Sequence, residues 1–200
     1  MKRMPSLLSV VLLLYVAVPA VADTLLYSNG AIDGRLNAWK ISDGFEVSDS
    51  FTLYSRAHVE TMSLGIWVLP GETPATLQFG FSASPFGYQL GFGAGTLSNV
   101  FQFTNDLGLD VYLSSFTFSS VDLAPGTYYV TLFNGSATNG HALYWDQNYG
   151  DSNAYENTQG PIPSESFSLG TASTPEPGTL IMLGTGLLTG VGVLRRKLSF

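Results

Sequence analysis

Hydrophobic residues in this chain recur at every second position, in short runs cut by turn dipeptides, and that pattern restricts the fold more than any other feature. Phe45, Val47, Phe51 and Leu53 share one parity, as do Met62, Leu64, Ile66 and Val68. Leu77, Phe79 and Phe81 repeat the pattern, followed by Phe116 and Phe118, then Tyr128, Val130 and Leu132. Weaker runs follow around Leu143 to Trp145 and Phe167 to Leu169. Side chains alternate across a strand, so each run describes a strand with one buried face. The pairs Asp43-Gly44, Pro70-Gly71, Ser84-Pro85, Pro125-Gly126, Asn134-Gly135 and Asn139-Gly140 supply turns between them. About eight to ten short strands, with no helical periodicity beyond two turns, predict an all-β body: an antiparallel β-sandwich of jelly-roll or immunoglobulin-like type. The composition agrees, because 45% hydrophobic residues suffice for a core and only 12% are charged, which disfavours a long-helix protein. The 200 residues include no cysteine, which removes disulfides, thiolate zinc sites and thiol nucleophiles.

The ends follow different rules from the body. Lys2 and Arg3 precede an apolar stretch from Leu7 to Val18, and Ala20 and Ala22 then stand in the small-residue positions before Asp23. This order is that of a secretory signal peptide over residues 1–22, with cleavage between Ala22 and Asp23 by signal peptidase. The body is expected over 23–172. Beyond it comes Pro175-Glu176-Pro177, an apolar run over 180–194, and the basic cluster Arg195, Arg196 and Lys197. Fifteen helical residues cover roughly 22 Å, short of the ~30 Å hydrocarbon core, so flanking residues must snorkel or the bilayer must thin. The basic cluster would hold the end of this single transmembrane helix on the cytoplasmic side, leaving the body outside. Gly186 and Gly190 form a G-x-x-x-G pair that would let another helix approach, although glycine is common in membrane helices generally.

The tripeptide Pro175-Glu176-Pro177, the apolar segment and Arg195-Arg196-Lys197, in that order, resemble the PEP-CTERM protein-sorting signal of bacteria that make extracellular polysaccharide. The resemblance covers residues 174 to 200, within a sorting domain placed at 173–200. It implies recognition by exosortase, a membrane-embedded transpeptidase-like protease, with the tripeptide at the outer membrane boundary. The chain would then be an inner-membrane intermediate first and a cell-surface or extracellular protein after processing. Asn37-Ala38-Trp39-Lys40-Ile41, the strand Val47 to Leu53 and the stretch Ala142 to Tyr149 are similar to the bodies of other PEP-CTERM proteins. That similarity implies a sandwich domain and brings no catalytic residues with it.

Between Asp23 and Ser173 only Arg35, Lys40 and Arg56 stand against fourteen acidic residues, a net charge of −11. Nucleic acid and anionic membrane surfaces are therefore excluded as partners, since both are held by clustered Lys and Arg. Neutral glycans, divalent cations and cationic partners fit the charge. Catalytic signatures are sparse. His58 and His141 are the only histidines, and neither G-x-S-x-G nor H-E-x-x-H occurs. The expectation is a protein that is not an enzyme, with a secreted glycan-active enzyme as the remote alternative. The glycines of Gly91-Phe92-Gly93-Ala94-Gly95 alternate, so they read as one face of a tightly packed strand rather than a phosphate loop.

The stretch from Trp145 to Gln159 is the most suggestive of the body. Asp146, Asp151 and Glu156 are oxygen ligands of the kind calcium takes, though their register does not match an EF-hand. Trp39, Trp145 and Tyr149 offer flat faces on which sugar rings stack. The competing reading is a solvated loop rich in Asx turns with Trp145 in the core, needing no metal and no cofactor. Trp67 lies on the opposite face from its apolar neighbours. Together these features predict an exported protein with a structural or adhesive role in an extracellular polysaccharide matrix. The alternative is a lectin-like carbohydrate-binding module.

Overall fold

The computed structural model describes residues 24–172; the expected leader and the sorting tail with its helix at 180–194 lie outside the described residues. In chain order the strands are β1 (Thr24–Ser28), β2 (Ala38–Lys40), β3 (Val47–Leu53), β4 (Ala57–Val68), β5 (Pro74–Ser82), β6 (Gly91–Thr96), β7 (Ser98–Thr104), β8 (Asp110–Leu123), β9 (Gly126–Ala137), β10 (Tyr144–Asp146), β11 (Ala154–Glu156), β12 (Gly160–Ile162) and β13 (Phe167–Thr171). All pairings are antiparallel and they form two sheets. In the first sheet β4 is central. It pairs along one side with β8, which carries β7, and on the other side with β13 and β10 in succession. β1 lies outside β13, and β2 outside β10. The second sheet has the order β12-β11-β3-β9-β5-β6.

The alternating runs of the sequence became the inward faces of these sheets. Phe51, Met62, Leu64, Ile66, Leu77, Phe81, Leu132 and Leu169 are fully buried in one core between the sheets. Removing each such side chain from water contributes about 1.5–3 kcal/mol before the entropy cost of ordering it. Rings close the centre: Phe79 meets Phe118 at 4.8 Å and Phe116 at 5.2 Å, and Phe51 meets Phe81 edge-on at 5.9 Å. The glycines of Gly91 to Gly95 are on β6, as their spacing predicts. A Cβ on Gly95 would stand 2.5 Å from the Phe116 ring and one on Gly93 2.8 Å from that of Phe79. Bare backbone is therefore what lets β6 lie against the aromatic core.

Two expectations change. Asn134-Gly135 is not a turn between strands, because it lies inside β9. There the two residues oppose the single Leu77 of β5, between the pairs Thr76↔Ser136 and Gln78↔Phe133, and Asn134 takes φ 48°. This is a β-bulge, and Asn tolerates its left-handed residue better than most. Trp67 does point away from the core between the sheets, yet it is buried on the outer face of the first sheet. Its indole N–H donates to Asp146 Oδ1 at 2.6 Å, and the same carboxylate accepts from the backbone N–H groups of Asp33 and Gly34. The segment before β2 is thus tied down over the tryptophan.

Candidate functional site

β11 covers β3 only across Val47 to Asp49, and β1 has a partner on one side only. The Ser50 N–H still donates to the Asn153 carbonyl, so only Phe51–Leu53 of β3 and the outer side of β1 are free strand edges. They border a cleft of about 580 Å³, closed by the loop at 149–153 and by Tyr54 just beyond the end of β3. Tyr54 is 93% exposed and Tyr149 82%, the highest values among the large side chains that reach solvent in the described residues. The lining between them is hydroxyl- and amide-rich: Ser28, Ser50, Thr52, Thr127, Ser152 and Asn153. Thr52 Oγ1 and Thr127 Oγ1 are hydrogen-bonded to each other at 2.9 Å across the β3–β9 pair. Asp151 is the one carboxylate of the lining, which contains no Lys, Arg or His.

The loop is fixed from behind. Asn29, buried at the end of β1, donates from Nδ2 to Ser152 Oγ at 2.6 Å and to the Glu165 carbonyl at 2.7 Å. Its Oδ1 accepts from the Tyr27 hydroxyl at 3.0 Å. The Asn153 N–H donates to Ser50 Oγ, and Asn148 Oδ1 accepts from the Gly150 N–H and the Ser164 hydroxyl. Such Asx-type bonds hold the glycine- and serine-containing loop in one shape.

Behind this network are two buried acids. Asp49 has the inward parity of Val47 and Phe51, and accepts from the Ser50 and Glu165 N–H groups at 2.6 and 2.8 Å. Burial pushes its carboxyl up to about 6, against the pull of hydrogen bonds from Ser152, Glu165 and Ser50. Glu165 is fully buried, and neither of its carboxyl oxygens has a hydrogen-bond partner among the described residues. Burial first, and then the charges of Asp49 and Asp146, hold Glu165 well above the usual carboxylate range. Asp146 is raised by burial as well, with Trp67 opposing. The Tyr27 phenol is raised by burial and by Asp49, so it stays a neutral hydrogen-bonding group.

The residues expected to meet glycan separate. Trp145 cannot stack on a sugar: it is completely buried, with its ring against Phe167 and its indole N–H on the Ser166 carbonyl at 2.9 Å. Trp39 is half-buried against the core, bonded through Nε1 to Gln147 Oε1, and does not line the cleft. Only Tyr149 remains at a surface able to take a ligand, joined there by Tyr54. The calcium candidates separate too. Asp146 is committed to Trp67, Asp33 and Gly34, while Glu156 Oε2 closes the β11–β12 turn by accepting from Thr158 and Gln159. Asp151 is exposed. No three His, Cys, Asp or Glu side chains among the described residues converge as a metal site would require.

Both histidines neighbour a carboxylate away from the cleft. His141 Nδ1 meets Glu72 Oε1, and His58 Nδ1 stands 4.0 Å from Asp122, which is paired with Arg56. The cleft thus offers stacking faces and hydrogen-bonding groups, with no histidine positioned to move a proton in it. Ala20, Ala22, Asp23, Pro175, Glu176, Pro177, Arg195, Arg196 and Lys197 lie outside the described residues.

Residues 173–197 match the family model of the PEP-CTERM protein-sorting motif. No curated protein matches the chain.

Proposed function

We propose that this chain, which carries a PEP-CTERM sorting motif at its C-terminal end, is an exported surface protein whose β-sandwich has a structural or adhesive role in an extracellular polysaccharide matrix. The motif carries the reading: it implies processing by exosortase and sorting to the cell surface or beyond. The leader expected over 1–22 supplies export, and the helix expected over 180–194 supplies a transient membrane anchor. The body contributes charge and shape. At a net −11 it repels other polyanions, and its outward side chains are rich in Ser, Thr and Asn rather than in cationic groups.

The strand order supports the jelly-roll alternative for the sandwich, because β3, β4 and β5 alternate between the two sheets, as do β8 and β9. A binding role is supported by a cleft whose lining presents phenols and hydroxyls. A lectin-like module is the second reading, favoured by the exposed tyrosines of that cleft.

The test is intact mass with cell fractionation of the protein made in its own host, with and without Pro175, Glu176 and Pro177 replaced by alanine. The expected wild-type product is found outside the inner membrane, lacking residues 1–22 and those after about 177, while the variant stays membrane-bound. A wild type that keeps its C-terminal segment, with a variant that behaves identically, would reduce the tail to a plain anchor.

A further inference from the structure

We propose that the cleft between β1 and β3 is a binding site for a non-anionic polysaccharide, with Tyr54 and Tyr149 of its lining as the stacking faces. This rests on the matrix reading above and gives it a site and a ligand class.

The tyrosines come first. A phenol ring exposed at 93% or 82% forgoes most of the burial that an aromatic side chain can gain, and two such rings border one concavity. Every other ring near the cleft is turned inward: Phe51 is buried, and Tyr27 packs on Phe51 and Phe167 at 5.9 and 5.3 Å. Flat apolar faces match the C–H faces of pyranose rings, while the phenol hydroxyl stays in water.

The floor is the second observation. Ser28, Thr52 and Thr127 present hydroxyls that both donate and accept, and the unpaired end of β3 at Phe51–Leu53 adds backbone groups. A sugar brings hydroxyls of the same dual character. An extended peptide would also find the two free edges, but strand addition takes its specificity from side-chain pockets, whereas the apolar faces here are rings and the rest of the lining is mostly hydroxyl and amide. The volume, about 580 Å³, falls within the range of small-molecule and cofactor sites.

Charge then selects within the class. Asp151 is on the lining, Asp49 lies behind it, and no cationic side chain faces either one in the cleft. A uronate, sulfate or phosphate group would enter a negative field without a partner, whereas a neutral sugar meets no penalty and an amino sugar is attracted. The loop needs no ordering on binding, because Asn29, Asn148 and Ser50 already hold it.

The experiment uses the exported protein purified from its host, titrated calorimetrically with cellohexaose, chitohexaose, chitosan oligomers and polygalacturonate oligomers. Binding of at least one of the first three, with no binding of polygalacturonate, is expected. Tyr54→Ala and Tyr149→Ala should each weaken it about tenfold, with Tyr54→Phe and Tyr149→Phe near wild type, because the stacking face survives. Emission from the buried Trp67 and Trp145 reports whether each variant is folded. Equal binding of polygalacturonate, affinities indifferent to both alanine variants in folded protein, or no polysaccharide bound by folded wild type would each overturn the proposal. Capture of an extended peptide that competes for the cleft, without glycan binding, would overturn it as well. The sorting assay reads mass and location rather than affinity, so the two readings fail separately.

Discussion

Replacing Glu165 by glutamine is expected to stabilise the body by an amount that grows with pH. The wild-type carboxyl is enclosed, neither oxygen has a hydrogen-bond partner, and Asp49 and Asp146 oppose its charge, so the folded protein keeps the proton. In the unfolded chain the same group has its ordinary value of 4.5. Below that pH both states are protonated and the substitution changes little through ionisation. Above it the unfolded chain releases a proton that the folded chain retains, and each pH unit costs the native state about 1.4 kcal/mol. The difference between variant and wild type should therefore rise by about 1.4 kcal/mol per unit, for as long as the folded carboxyl stays protonated. Burying the amide without partners costs about 1–3 kcal/mol, which shifts the curve but leaves its slope unchanged. Asp49 acts with the same sign in both proteins: its rise from 3.8 to about 6 removes on the order of 3 kcal/mol across that interval. The assay is urea unfolding from pH 4 to 8, followed by tryptophan emission and compared at a common m-value. Parallel stability curves for the two proteins would refute the reasoning, because they would mean that Glu165 titrates alike folded and unfolded.

Three further outcomes are expected. Gly95→Val places branched carbons against the Phe116 ring and should lower stability by about 1–3 kcal/mol, measured by thermal unfolding. Trp67→Phe keeps most of the apolar volume but takes the indole donor from buried Asp146, at a cost of about 1–3 kcal/mol, with faster amide exchange at Asp33 and Gly34 if that carboxylate anchors the segment. Asp151→Lys reverses the charge of the cleft and should admit polygalacturonate, measured by calorimetry; continued exclusion would mean that shape rather than charge rejects it.

The strands were legible wherever large apolar residues recur at every second position, as in Met62 to Val68 on β4 or Leu77 to Phe81 on β5, even though the opposite face is itself partly covered at Gly65, Trp67 and Gly80. Period two sets the face directly. The pattern fell silent at β1 and β7, whose residues are mostly exposed, and at the three-residue β2, β11 and β12, where pairing with a neighbour rather than local pattern makes the strand. Asn134-Gly135 carries the composition of a hairpin turn, yet the β5–β9 pairing turns it into a bulge, and only the partner strand distinguishes the two. Asp49 and Glu165 were visible in principle. Each has the parity of apolar neighbours, Val47 and Phe51 for one, Phe167 and Leu169 for the other, and a carboxylate at an inward position signals a buried network. Tyr54 gave no such signal, because a tyrosine beside a turn can end in solvent or in a core, and only the tertiary arrangement decides which.

The short reach of β11 along β3 links the buried acids to the open flank. Had β3 continued its apolar parity through position 49, the sheets could have closed tightly there and the segment at 164–166 would have had no reason to approach. Asp49 instead accepts the Glu165 N–H, and Asn29 ties the Glu165 carbonyl to Ser152 in the loop that borders the cleft. Both buried carboxyls lower stability as pH rises, but only the Asp49 carboxylate and the backbone N–H and carbonyl of Glu165 take part in the bonds that fix the loop, while the Glu165 carboxyl has no partner among the described residues. The pH slope of Glu165→Gln therefore reads the cost of enclosing that carboxyl, separately from the bonds that hold the loop.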